Sequence, residues 1–194
     1  MQIESERLIL RLPNRTDIPE IISYYQRNID LLQPVEPRRP QSFYTPPYWR
    51  QHVRQSLHEF HTDRSMRMFI FKPGQKTVLG ALNFSAFERG TLQSCRVGYS
   101  IDVEHQKQGY MTEALTAGCR YLFTQRNMHR IQASYMPHNT ASARVLAKVG
   151  FQDEGLARQL LLLDGVWADH IVSSLVNPFW LSPAEEIAMW GAGA

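Results

Sequence analysis

Two segments of this 194-residue chain hold residues that could do chemistry at spacings a helix can use. The first is VEHQKQGYMTEAL, Val103 to Leu115, which sets Gln106, Lys107, Gln108 and Gly109 ahead of a run of good helix formers. Two readings fit it. Gly109 lets a loop turn into a helix, or the free backbone N–H groups at that helix start cradle a phosphate. The second segment is HNTASARVLAKVGF, His138 to Phe151. Asn139 is placed to cap a helix, Ala141 and Ser142 fall in its first turn, and Gly150 ends it. A capped amphipathic helix explains Asn139, Val145, Leu146 and Gly150, but not the pairing with the first segment.

These segments need elements to hold them. RLILRL (Arg7–Leu12) alternates as a strand, and Asp17 opens an amphipathic helix with Ile18, Ile21, Ile22 and Tyr25 on one face. Leu31 to Trp49 holds five prolines in nineteen residues and reads as a stiff loop. A helix is expected from Tyr48 to His61, then strands at RMFIFK, TVLGALNFSAF and SCRVGYSI. Gly109 starts a central helix running to about Asn127; RIQASYM is a strand, and Asn139 to Lys148 a helix. The last pair of strands turns about Asp164-Gly165, a strong hairpin signal. The order predicts an α/β (α+β) domain with a mixed, mostly antiparallel sheet of about seven strands and about four helices. One domain is expected over 1–181, with a tail over 182–194.

Composition narrows the classes. With 43% hydrophobic and 20% charged residues the chain is globular, and its net charge of +3 makes no case for nucleic-acid readout. Of 21 basic residues only four are lysine, so 17 are arginine, the side chain suited to forked contacts with carboxylate or phosphate. No apolar run is long enough for a membrane span, and the acidic start MQIESERLIL does not read as a signal peptide. Two cysteines, Cys95 and Cys119, make no disulfide framework, and a reducing cytoplasm is the expected compartment. HEFH (His58–His61) is one residue short of a zinc motif, Asp169-His170 has no serine placed for a triad, and no metal site is expected.

The paired segments resemble the GNAT N-acetyltransferases. Gln106-x-x-Gly109-x-Met111 is similar to that superfamily's acyl-CoA pyrophosphate loop, and Asn139-x-x-Ser142-x-x-x-Leu146-x-x-x-Gly150-Phe151 to its second cofactor segment. SERLILRL, LLQPVEP, NFS, GYSI, YMPHN and GFQDEGLARQLLLLDGVWADH resemble the ribosomal-protein-alanine N-acetyltransferases of the RimJ type, over about Glu4 to Pro178. Lys107 and Met111 depart from the pattern, standing where relatives carry glycine, or glycine or alanine.

The resemblance implies a GNAT fold, acetyl-CoA as cosubstrate and direct attack of an amine on the thioester. Backbone groups from Gln108, Gly109, Tyr110, Met111 and Thr112 would meet the pyrophosphate, with Gln106 and Lys107 beside it. Pantetheine would lie between two splayed strands, bonding Ile101 and Val103 through backbone groups, with Asn139 nearby. Ser142 is the implied donor to the departing thiolate. Glu154 is the implied base, with Glu88 as fallback and as an acceptor-side residue. Glu36, in the proline-rich loop with Arg38 and Arg39, is expected to border the acceptor groove. The favoured acceptor is a protein N-terminal α-amine, such as that of a ribosomal protein. A small-molecule amine acetyltransferase and an acyl-CoA-binding ribosome-assembly module are the alternatives, and no oligomeric state is implied.

Overall fold

A tight turn, in which Ser5 N–H donates to the Leu8 carbonyl at 3.0 Å, folds the start of the chain on itself. It joins two short antiparallel strands, β1 (Gln2–Glu4) and β2 (Ile9–Arg11). The strand read at Arg7–Leu12 is the shorter β2. β1 is additional, and three residues are too few for alternation to show. The computed structural model describes residues 1–182, 184 and 185. The tail assigned to 182–194 lies outside the described residues except at Ser182, Ala184 and Glu185.

Helix α1 (Ile18–Arg27) follows a capping box in which Asn14 Oδ1 accepts the Thr16 N–H at 2.8 Å and Asp17 Oδ2 accepts the Asn14 N–H at 2.8 Å. The expected face of Ile18, Ile21, Ile22 and Tyr25 is buried, and Tyr24 joins it. The proline-rich loop contains one helical turn, α2 (Ile29–Leu32), and two 3₁₀ turns. Helix α3 (Pro46–His61) starts two residues before the expected Tyr48. Pro46 and Pro47 occupy its first turn, where a missing N–H costs no hydrogen bond.

Strands β3 (Met66–Phe71), β4 (Gly80–Glu88), β5 (Ser94–Ile101) and β6 (Arg130–Tyr135) build the centre. The hairpin of β7 (Gln152–Leu163) and β8 (Val166–Val176) turns at Asp164 and Gly165, both at positive φ. The sheet of eight strands runs β1-β2-β3-β4-β5-β6-β8-β7. Only β5 and β6 pair in parallel. Helices α4 (Tyr110–Gln125) and α5 (Thr140–Val149) complete the described chain.

The sheet is buried on both faces, so β3 reads as a nearly unbroken apolar run. Met66, Met68 and Ile70 enter one core with Leu115, Leu122 and Leu146 of α4 and α5. Phe69 and Phe71 enter the other with Ile21, Tyr25, Trp49 and Val53 of α1 and α3.

One feature of the sheet makes the site. The β5–β6 ladder runs from Ser94↔Arg130 to Val97↔Ala133 and stops there, although β5 continues to Ile101. Beyond Val97 the two strands part, and the N-termini of α4 and α5 follow their two ends. Among the described residues no helix is long and apolar enough to cross a membrane.

Candidate active site

A cavity of about 620 Å³ lies against the end of β5, walled by the starts of α4 and α5 and by α2. It brings together Ile101, Gln106, Lys107, Gly109, Tyr110, Met111, Thr112, Asn139 and Ser142. Sequence reasoning assigned all nine to the cofactor.

Gly109 is the N-cap of α4 at φ +81°, a left-handed conformation that L side chains rarely adopt. It has no side chain to cap the helix, so the first-turn N–H groups are left for an anion. Lys107 also takes a left-handed φ, +59°, where the resemblance has glycine. Met111 is buried in the core while lining the cavity, so its extra bulk is absorbed by packing.

Arg7, quoted above only inside a motif, clamps this loop. Its Nη1 donates to the Gln108 carbonyl at 3.2 Å and its Nε to Glu113 Oε2 at 2.7 Å. Its guanidinium lies 4.7 Å from the Tyr110 ring centroid, and Lys72 Nζ lies 5.1 Å from the same ring. Glu113 also accepts from Ser5 Oγ and the Arg7 N–H, both at 2.8 Å. Partial burial opposes ionisation of Glu113, but these hydrogen bonds outweigh it and hold the carboxyl below its ordinary range. The ends of this clamp are over a hundred residues apart, and no local pattern announces it.

Two further expected cofactor residues also make contacts within the protein. Gln108 braces the loop from outside, its Nε2 donating to the Glu104 carbonyl at 3.1 Å. Val103 is exposed, and its N–H donates to Asn28 Oδ1 at 2.9 Å. That amide is therefore taken, while Ile101 remains on the cavity wall.

Asn139 caps α5 by accepting the Ser142 N–H at 3.1 Å. Ser142 Oγ lies 2.8 Å from the phenol oxygen of Tyr99, which also lines the cavity. Burial pushes the Tyr99 phenol up to about 12, against the opposing bond to Ser142. Tyr99 was legible only as part of GYSI.

The carboxylates are placed differently from expectation. Glu154 bonds to Arg130 Nη2 and accepts from Ser174 Oγ at 2.8 Å; it does not line the cavity. The Arg130 and Ser174 hydrogen bonds hold its carboxyl below the ordinary range, which weakens it as a base. Glu88 pairs with Ser94, seven residues along β5 from Ile101 and so about 23 Å from the cavity end. The structure brings neither residue to the site. Glu36 lines a smaller cavity of about 210 Å³ with Arg38 and Arg39, and Leu32 borders both cavities. Glu36 is ion-paired with Arg39, whose guanidinium lies 4.0 Å from the Tyr25 ring centroid and 4.2 Å from that of Phe43. Its backbone carbonyl accepts the Asp164 N–H at 3.3 Å, which ties this loop to the hairpin tip.

Cys95 and Cys119 are buried in the core, and burial pushes the Cys95 thiol up to about 12. His58 and His61 are exposed on α3.

Comparison with known proteins gives the same picture. Residues 7–152 match the acetyltransferase (GNAT) domain model. The chain is 40% identical over 181 residues, 93% of both chains, to the ribosomal protein uS5-alanine N-acetyltransferase of Escherichia coli K12. The crystal structure of the ribosomal-protein-S5-alanine acetyltransferase of Vibrio fischeri superposes with a TM-score of 0.89 at 34% identity, covering 94% of this chain and all of that one. Mycobacterium smegmatis RimJ in complex with CoA-disulfide superposes at 0.83 with 28% identity, over 95% and 89% of the two chains. The chain thus belongs to the GNAT acetyltransferase family, and its reaction is transfer of an acetyl group from acetyl-CoA to an amine.

Proposed function

We propose that the acceptor is the N-terminal α-amine of a protein beginning with alanine, in the class of the ribosomal protein modified by the Escherichia coli relative. The 40% identity over 93% of both chains carries this reading. A chemical feature of the cavity supports it: among its lining residues there is no aspartate or glutamate. An α-amine with a pKa of about 7.7–8.0 is roughly a tenth neutral at pH 7, whereas a lysine at about 10.4 is some two and a half units worse. A site without a carboxylate base therefore favours the α-amine over a lysine or polyamine.

In this reading acetyl-CoA supplies the acetyl thioester. The first-turn amides of α4, with Lys107 nearby, hold its pyrophosphate, and Ile101 flanks the pantetheine. The acceptor nitrogen forms the N–C bond and sheds one proton, and the C–S bond breaks. Ser142 Oγ–H donates a hydrogen bond to the departing sulfur, which at a thiol pKa of about 8.5 needs only modest help.

The test is a thiol-release assay across alanine-initiated peptides, the same peptides with a blocked N-terminus, and free polyamines. Release with the unblocked peptides alone is expected. Faster release with polyamines would reverse the reading.

A further inference from the structure

A serine hydroxyl in a helix can spend its one proton in several directions. In α5 the usual intrahelical acceptors for Ser142 would be the carbonyls of His138 and Asn139. Each accepts one backbone N–H, from Thr140 at 2.9 Å and Ala143 at 3.1 Å, and keeps a second lone pair. The other nearby partner is Tyr99, with its phenol oxygen 2.8 Å from Ser142 Oγ and 3.4 Å from the Ser142 carbonyl oxygen.

The direction of that hydrogen bond decides what Ser142 can do. If Ser142 donated to Tyr99, its proton would be consumed and nothing would be left for the sulfur. Either oxygen can be the donor across the 2.8 Å contact, and the role of Ser142 as donor to the sulfur requires that it be the phenol. The shorter contact is with Oγ.

We infer that Tyr99 is a positioning residue for the transfer: by donating to Ser142 Oγ it turns the serine's own proton into the cavity, toward the departing sulfur. This rests on the donor role of Ser142 given above. Tyr99 gives up no proton in the reaction. Its hydrogen bond also polarises the serine O–H and strengthens it as a donor, as linked hydrogen bonds do in a poorly solvated site. Because burial keeps the phenol protonated to about pH 12, the donor persists across the working range.

A double-mutant cycle on kcat separates this role from packing. Ser142→Ala is expected to lower kcat by roughly 10²-fold, the low end for acid help. Tyr99→Phe should lower it by roughly tenfold, the worth of one hydrogen bond, with acetyl-CoA affinity unchanged by calorimetry. In the Ser142→Ala background Tyr99→Phe should then cost nothing further. A Tyr99→Phe penalty that persists at full size in that background would overturn the inference, since the tyrosine would not be acting through the serine. A slow Ser142→Ala enzyme beside a Tyr99→Phe enzyme of normal kcat would overturn it too, and leave the serine reading standing. Normal turnover by Ser142→Ala would overturn the serine reading itself and the inference with it.

Discussion

Asn28 and Asp102 lie 74 residues apart and are hydrogen-bonded in the protein interior, Asn28 Nδ2 donating to Asp102 Oδ2 at 3.0 Å. The same carboxylate accepts from Arg27 Nε at 2.6 Å and from the Glu104 N–H at 3.0 Å. Asn28 Oδ1 meanwhile accepts the Val103 N–H. The end of α1 is thereby fastened to the chain between β5 and the phosphate loop, so the α2 and β5 sides of the cofactor opening are held at one buried point.

This joint predicts a pH dependence. Burial opposes ionisation of Asp102, but the bonds from Asn28, Arg27 and the Glu104 amide outweigh it and hold the carboxyl below its ordinary range. A lowered carboxyl pKa contributes stability that is complete above the unfolded value of about 3.9 and is lost as pH falls through the lower folded value. Thermal melts from pH 7 to pH 3 should show Asp102→Asn less stable at neutral pH and with a shallower acid slope. Parallel slopes for both proteins would contradict the assignment.

Gly80 predicts a packing effect on the cofactor. It pairs with Ile101, and a Cβ built on it would meet the Ser100 carbonyl oxygen at 2.4 Å. Gly80→Ala must push β5 outward at the cavity wall, at a cost on the order of 1–3 kcal/mol. Calorimetry should find weaker acetyl-CoA binding in the folded variant. Unchanged affinity would mean that Ser100 and Ile101 do not shape the cofactor site.

Lys107 allows charge and conformation to be separated. At φ +59° a glycine is unstrained and an alanine is not, so Lys107→Gly should be more stable than Lys107→Ala by about 1 kcal/mol. Both lose the cation, so both should weaken acetyl-CoA binding alike, more at low salt than at high. Equal melting temperatures would deny the left-handed conformation. Unchanged affinity in both would take Lys107 away from the phosphate.

Glu154 is expected to matter little to turnover. Its carboxylate is engaged by Arg130 and Ser174, away from the cavity. Steady-state kinetics of Glu154→Gln should give kcat within about twofold of the parent. A loss of a hundredfold or more would restore it as the base.

The sequence revealed what repeats locally. The apolar face of α1, the Asp164-Gly165 turn and the two cofactor segments each depend on residues a few positions apart, and each was found within one or two residues. What escaped depends on distant pairing. The Arg7–Glu113 clamp, the Asn28–Asp102 joint and the Tyr99–Ser142 contact join residues brought together only by sheet order, so no periodicity marks them. The carboxylates lie away from the expected places for a related reason. Glu88 has the right residue type on a strand, but register sends it to the far end of the sheet.

Which nitrogen is acetylated decides whether the acceptor is a protein N-terminus. A peptide starting with a free alanine and carrying one internal lysine should be incubated with acetyl-CoA and the enzyme, and the product sequenced by tandem mass spectrometry. A single acetyl group on the α-nitrogen of the alanine is expected. Acetylation of the lysine, or none on a peptide whose free-amine competitors are turned over, would contradict an N-terminal acceptor.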